Sequence, residues 1–104
     1  MTTPLKGYQR KYLRGLAHNI QPIVSIGQKG VTESVLSELD STLLTHELIK
    51  VKFLTHKEKS DKIKLSDFIS KSTNCEMVGM IGHIGIFFRS HPDPEKRKIQ
   101  IPIK

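Results

Sequence analysis

Acidic residues are missing from the first 32 positions of this 104-residue chain, the earliest being Glu33. Lys6, Arg10, Lys11, Arg14 and Lys29 stand there without a counter-charge. The whole chain holds 17 Lys and Arg against 10 Asp and Glu, a formal charge of +7, so most of the surplus is confined to one stretch. Such an asymmetry points to a polyanionic partner met through one region. Cysteine is nearly absent too. Cys75 stands alone, which excludes an internal disulfide and leaves a reduced, cytoplasmic setting as the expectation. No apolar run approaches the ~20 residues that would span a bilayer, and "MTTPLKGYQRKY" lacks the apolar core of a secretory signal. Organelle transit peptides are also acid-poor and amphipathic. Here, however, the basic segment runs directly into a strand-like stretch. Apolar content of 37% suits one domain with one modest core, taken as residues 1–104 with an extended basic tail or edge strand from about 90.

The pattern for catalysis is missing as well. The histidines, His18, His46, His56, His83 and His91, show no H-x-x-x-H spacing, and Cys75 has no cysteine partner, so no metal site is expected. His46-Glu47 and His83 could be imagined as acid and base, yet no nucleophile accompanies them at a recognisable spacing. The expectation is a protein without enzymatic activity and without a cofactor.

Periodicity supplies the elements. Thr3-Pro4 suits a helix start, and Leu5, Tyr8, Tyr12, Leu16 and Ile20 then cluster on one side at 100° per residue. Lys6, Arg10, Arg14 and His18 follow each other at four-residue steps on another side, with Lys11 beside them. A solvated helix face normally mixes signs; this one carries no acid. Pro22 ends the helix, "PIVSI" (22–26) reads as a buried strand, and Val31, Val35, Leu36, Leu39 and Leu43 mark a second helix over about 32–45. "ELIKVKFLT" (47–55) alternates, with Ile49, Val51 and Phe53 on one face and Lys50 and Lys52 on the other. A third helix capped by Ser60 or Asp61 should turn Ile63, Phe68 and Ile69 inward, and "CEMVGMIGHIGIFFR" reads as two strands about a turn at Gly82-His83. The order αβαβαββ predicts an α/β two-layer sandwich, a mixed four-stranded sheet with helices packed on one face.

Glycines recur three apart in three places, Gly27 with Gly30, Gly79 with Gly82, and Gly82 with Gly85, where chance at ~7% glycine gives about half an occurrence. The last two lie in the apolar hairpin and read as easing a turn and a close strand approach. Gly27-Gln28-Lys29-Gly30 differs: it is polar, cationic, and joins a strand to a helix start. Without Cβ the main chain can approach a phosphate closely, the helix start offers free N–H groups, and Lys29 adds a full charge. The P-loop pattern and the dinucleotide fingerprint are both absent. A plain β-to-α turn with a surface lysine remains the alternative from this loop alone.

"YLRGLAH", "IGQKG", "HELIKVK" and "GMIGHIGIFFR", continuing to "RKIQIP", together resemble the small bacterial YhbY-like proteins of the CRM (chloroplast RNA splicing and ribosome maturation) family over about Tyr8 to Pro102. The resemblance implies an RNA-binding domain similar to the C-terminal domain of translation initiation factor three, associated with precursors of the large ribosomal subunit. It places the RNA-binding loop on Gly27, Gln28, Lys29 and Gly30, and a basic surface on Arg10, Lys11, Arg14, Lys50 and Lys52, to which the charge row adds Lys6. The chain departs from the family pattern at "SHPDP" (90–94), so contacts by Lys96, Arg97 or Lys98 are least secured. The expected partner is ribosomal RNA, bound by a monomer. Action on small structured RNAs is the alternative, and binding to anionic membranes through the first helix a more distant one. With Tyr8 and Tyr12 expected to lean into the core, base stacking would be minor and RNA shape would dominate.

Overall fold

The computed structural model describes residues 4–55 and 58–103. The proposed Thr3 cap and His56 therefore lie outside the described residues. The elements follow in the order α1 (Gly7–Ala17), β1 (Val24–Ile26), α2 (Glu33–His46), β2 (Leu48–Phe53), α3 (Lys59–Thr73), β3 (Glu76–Ile81) and β4 (Ile84–Phe88), with a short 3-10 turn at Pro94–Lys96. The expected αβαβαββ order and mixed sheet are both present.

Helix ends are decided by local bonds. At the start of α1, Lys6 N–H donates to Gln9 Oε1 at 2.8 Å. The helix stops at Ala17, ahead of Pro22, when Ile20 N–H turns back to the Ala17 carbonyl. Thr32 caps α2, its Oγ1 accepting from Val35 N–H at 3.2 Å. α3 begins one residue before Ser60, after Glu58 and with no side-chain cap. It ends on Asn74 at φ 55, a left-handed position that asparagine tolerates.

The sheet runs β1-β2-β4-β3. β1 pairs parallel with β2 across the α2 crossover, and the remaining pairs are antiparallel. Alternation splits the interior in two. Ile49, Val51, Phe53 and Phe87 bury one sheet face against Leu39 and Leu43 of α2 and Ile69 of α3. Leu48, Ile86, Phe88 and Val78 bury the other face against Leu13 and Ala17 of α1.

The helices therefore occupy both sides of the sheet, not one as expected. β2 shows why: Leu48 is apolar on the face that carries Lys50 and Lys52, and that apolar end is covered by α1 while the lysines are left toward solvent. Within α3, Ile69 is buried as expected, but Ile63 and Phe68 are each about half exposed, and Lys62, Ser66 and Thr73 take the inner positions.

Among the described residues the C-terminal segment forms no edge strand. It is an extended tail whose Ile99 and Ile101 pack on the α1 face. A buried carboxylate helps to fix it there. Glu47, buried at the α2–β2 junction, accepts from His91 N–H at 2.8 Å, Lys98 N–H at 2.6 Å and Ile99 N–H at 3.0 Å.

Candidate nucleic-acid interface

β1 delivers the glycine turn from a fixed position. Ile26 is fully buried, and its carbonyl accepts Leu54 N–H at 2.9 Å. The chain then reverses as Gly30 N–H donates to the Gly27 carbonyl at 3.0 Å, leaving Gln28 and Lys29 exposed at the tip. Gly30 sits at φ +74, where a side chain costs roughly 1–2 kcal/mol. Gly27 has no positive φ, and a Cβ there, as at Gly30, would meet nothing within 4 Å, so the space over the turn is open from outside. Just beyond, the N–H groups of Glu33 and Ser34 have no partner within α2 by the geometry of any helix start, and the helix dipole is positive there. Glu33 itself, exposed in that first turn, opposes an incoming anion.

The sheet lysines adjoin this turn. Lys52 pairs with Ser25, level with the residue before Ile26. Lys50 lies two residues back, paired with Ile86 of β4. Both belong to the α1 face; Lys52 is exposed and Lys50 half-buried. The turn thus follows edge strand β1 at the end where Lys52, on the neighbouring β2, pairs with it.

The arginines of α1 lie elsewhere. Arg14 Nη1 donates to the Val78 carbonyl at 2.8 Å, and a Cβ on Gly79 would come within 2.6 Å of Arg14 Cδ. Gly79 leaves room for the arginine side chain to lie across it, an approach by α1 rather than the strand approach expected of the hairpin glycines. Arg10 Nη1 reaches Glu76 Oε2 at 3.2 Å and also donates to the Leu5 carbonyl, while Glu76 Oε1 accepts Leu5 N–H at 2.9 Å. Arg10 thus clips the start of the chain to β3, and part of its charge is already matched. β3 is the edge opposite β1, three strand spacings or ~14 Å away. Of the predicted basic residues, Lys50 and Lys52 share the sheet face that α1 packs on, while Lys6, at the start of α1, and Lys11, on it, are exposed.

The tyrosines depart from expectation. Leu13 and Ala17, 40° apart on the helix, are fully buried, whereas Tyr12, 100° from Leu13, is 43% exposed and Leu16 38%. Tyr8 is partly exposed on the same outward flank. α1 touches the sheet through a narrow stripe of small and medium side chains, which leaves the aromatics outside it.

Two further features escaped sequence reasoning. Lys62, almost fully buried, donates through Nζ to the Gly82 carbonyl at 2.7 Å and lies 3.2 Å from His83 Nδ1, tying the β3–β4 turn to α3. Burial raises the Cys75 thiol above its ordinary value, against the smaller opposing pull of a Thr73 hydrogen bond and of Arg89. Neither contact has a sequence signature, since each depends on a fold-made neighbour. Among the described residues no group of three or more His, Cys, Asp or Glu could hold a metal ion, and no helix is long and apolar enough to cross a membrane.

Fold and site together define a small basic α/β domain with an exposed cationic glycine turn suited to phosphate contact. The chain belongs to the CRS1 / YhbY (CRM) domain family, whose model matches residues 5–89. It is 39% identical to a Haemophilus influenzae protein named "RNA-binding protein", over 98% of this chain and 99% of that one. It is 30% identical to the Bacillus subtilis "Probable RNA-binding protein YqeI", over 94% of this chain and 99% of that one. The solution structure of a hypothetical Staphylococcus aureus protein, put forward as RNA binding, matches with a TM-score of 0.81 at 38% identity, covering 95% of this chain and all of that one.

Proposed function

We propose that this protein binds ribosomal RNA in precursors of the large ribosomal subunit and assists their assembly in the cytoplasm, as a monomer and without catalysis. RNA as partner is supported by the names of the relatives; the ribosomal target rests on the resemblance to the YhbY-like proteins. The observation that carries the reading is the Gly27–Gly30 turn, which holds Gln28 and Lys29 outward beside Lys52 and the start of α2. A phosphate seated on this turn meets main-chain N–H groups and one flexible cation at once. Lys50, Lys6, Lys11 and Arg14 extend the positive track across the sheet face, with Arg10 contributing the part of its charge that Glu76 leaves.

Sedimentation of a cell extract through sucrose gradients at low and moderate salt tests this. Co-migration with large-subunit precursors that is lost as salt rises is the expected result, because released counterions drive phosphate contacts. Migration at the top of the gradient in both salts would remove the ribosome from the reading and favour smaller structured RNAs as the target.

A further inference from the structure

α1 leaves an apolar depression on its outer flank that meets the phosphate track only at Lys11. Tyr8, Lys11, Tyr12, Gly15, Leu16 and Pro102 line this shallow hollow of about 510 Å³. Tyr8, Tyr12 and Leu16 fall four residues apart, so their side chains form one ridge along the helix. Pro102 supplies the facing wall. The tail is held there by Gln9 Nε2 donating to the Pro102 carbonyl at 3.2 Å, and by the Ile99 and Ile101 packing beneath.

We propose that this hollow is a stacking platform for unpaired RNA bases, with Tyr12 as the principal ring and Lys11 receiving the adjoining phosphate. Every base offers a π-face, so tyrosine rings beside an apolar wall bind bases with little regard to sequence. The charge on the page selects this occupant. Lys11 sits within the hollow, Lys6 and Arg10 stand on the same helix, and the chain carries +7. A second copy would bring the same sign to the same place, whereas a nucleotide brings an apolar ring with an anion attached. The platform rests on the RNA-binding reading above and adds a preference for helices flanked by unpaired nucleotides over uninterrupted duplex.

The chain contains no tryptophan and two tyrosines, Tyr8 and Tyr12, both in the hollow. Tyrosine emission therefore reports on this patch alone. The test is a titration of the full chain with a short single-stranded RNA and with a duplex of equal length. Emission, corrected for RNA absorption, is followed alongside affinity, for the natural protein and for Tyr12→Ala and Tyr12→Phe. Because Tyr12 is exposed, both variants should fold, which circular dichroism checks. The expected result is quenching by the single strand, a loss of about 10-fold in single-strand affinity for Tyr12→Ala, and near-natural affinity for Tyr12→Phe. Duplex binding should stay within about twofold throughout, since phosphate contacts dominate it. RNA binding without quenching, and with equal affinity for Tyr12→Ala, would overturn the platform while leaving RNA binding intact. A dimer that Tyr12→Ala dissolves, with RNA affinity unchanged, would assign the hollow to a second copy and overturn it as well. Failure to bind either RNA at low salt would overturn both the platform and the function it rests on.

Discussion

Replacing Glu47 tests how the basic tail is held. Its carboxylate is 1% exposed and accepts three main-chain N–H groups from residues 91, 98 and 99. Hydrogen bonds to a charged acceptor contribute about 1.5–3 kcal/mol each. Three would total more than 4 kcal/mol, but a released tail can return its N–H groups to water. A loss of about 3–4 kcal/mol for Glu47→Ala follows, or more than 10 °C in Tm at roughly 4–8 °C per kcal/mol for a chain of this size. The backbone adds a second, opposite effect. Glu47 sits at φ 65 and ψ −44, a sparsely populated conformation that costs a residue with a side chain about 1–3 kcal/mol. Glu47→Gly removes the same carboxylate yet relieves that cost, so it should be less destabilising than Glu47→Ala even though glycine gains more freedom in the unfolded chain. Thermal unfolding of both variants, with amide exchange at Lys98 and Ile99, measures the two effects. A Glu47→Ala protein that melts within 3 °C of the natural one with those amides still protected would refute the clamp. A glycine variant less stable than the alanine one would refute the strain.

The glycine turn separates two roles at neighbouring positions. Gly27→Ala should leave Tm nearly unchanged, because its Cβ meets nothing, and reduce RNA affinity; Gly30→Ala should cost roughly 1–2 kcal/mol in stability from its positive φ, as denaturant titration would show. Arg14→Ala and Lys29→Ala should each flatten the slope of log affinity against log salt by roughly 0.7–0.9, read by filter binding; an unchanged slope would place the contact elsewhere. Arg10→Ala should instead lower Tm, since Glu76 loses its cationic partner and the Leu5 carbonyl its donor. Cys75 is held protonated by burial, so it should alkylate slowly at pH 8 in the folded protein and quickly once unfolded. Because its folded pKa lies above the ordinary 9.0, the thiol's contribution to stability is full below that pH and declines as pH rises past it, which melting curves between pH 8 and 10 would show.

The parts of the fold legible in the sequence are those where one repeat distance decides burial. β2 alternates, and Ile49, Val51 and Phe53 are buried. α2 repeats Leu39 and Leu43 at a four-residue step, and both are fully buried beneath a helix that Thr32 caps. Period fails where an element offers more apolar side chains than its contact stripe accepts. α1 carries Tyr8, Tyr12, Leu13, Leu16 and Ala17, which spread over about half of its circumference at 100° per residue. Which sector turns inward is then settled by shape. Leu13 and Ala17 let the helix approach Leu48, Ile86 and Phe88 closely, and a tyrosine at either position would hold it off. The same ambiguity left Ile63 and Phe68 of α3 to be placed inside when the packing admits Ile69.

The candidate site divides along the same line. The Gly27–Gly30 turn was readable because all its determinants lie within four residues, and the structure places Gln28 and Lys29 where such a turn should hold them. The basic face was readable in composition but not in layout. A charge row on a helix does not disclose that Glu76, 66 residues away, meets Arg10, nor that Gly79 lets Arg14 lie flat across β3. These contacts change what each cation can do. An arginine bonded to a main-chain carbonyl has lost freedom before any ligand arrives, so its remaining N–H groups are held at a set place on the surface. Lys29 and Lys52 carry no such restraint among the described residues, and their long stems can follow a phosphate over several ångströms. Arg10 and Arg14 are thus fixed beside β3, whereas Lys29 and Lys52 stay adaptable near β1, so a phosphate would meet a set position at one end of the site and a mobile cation at the other.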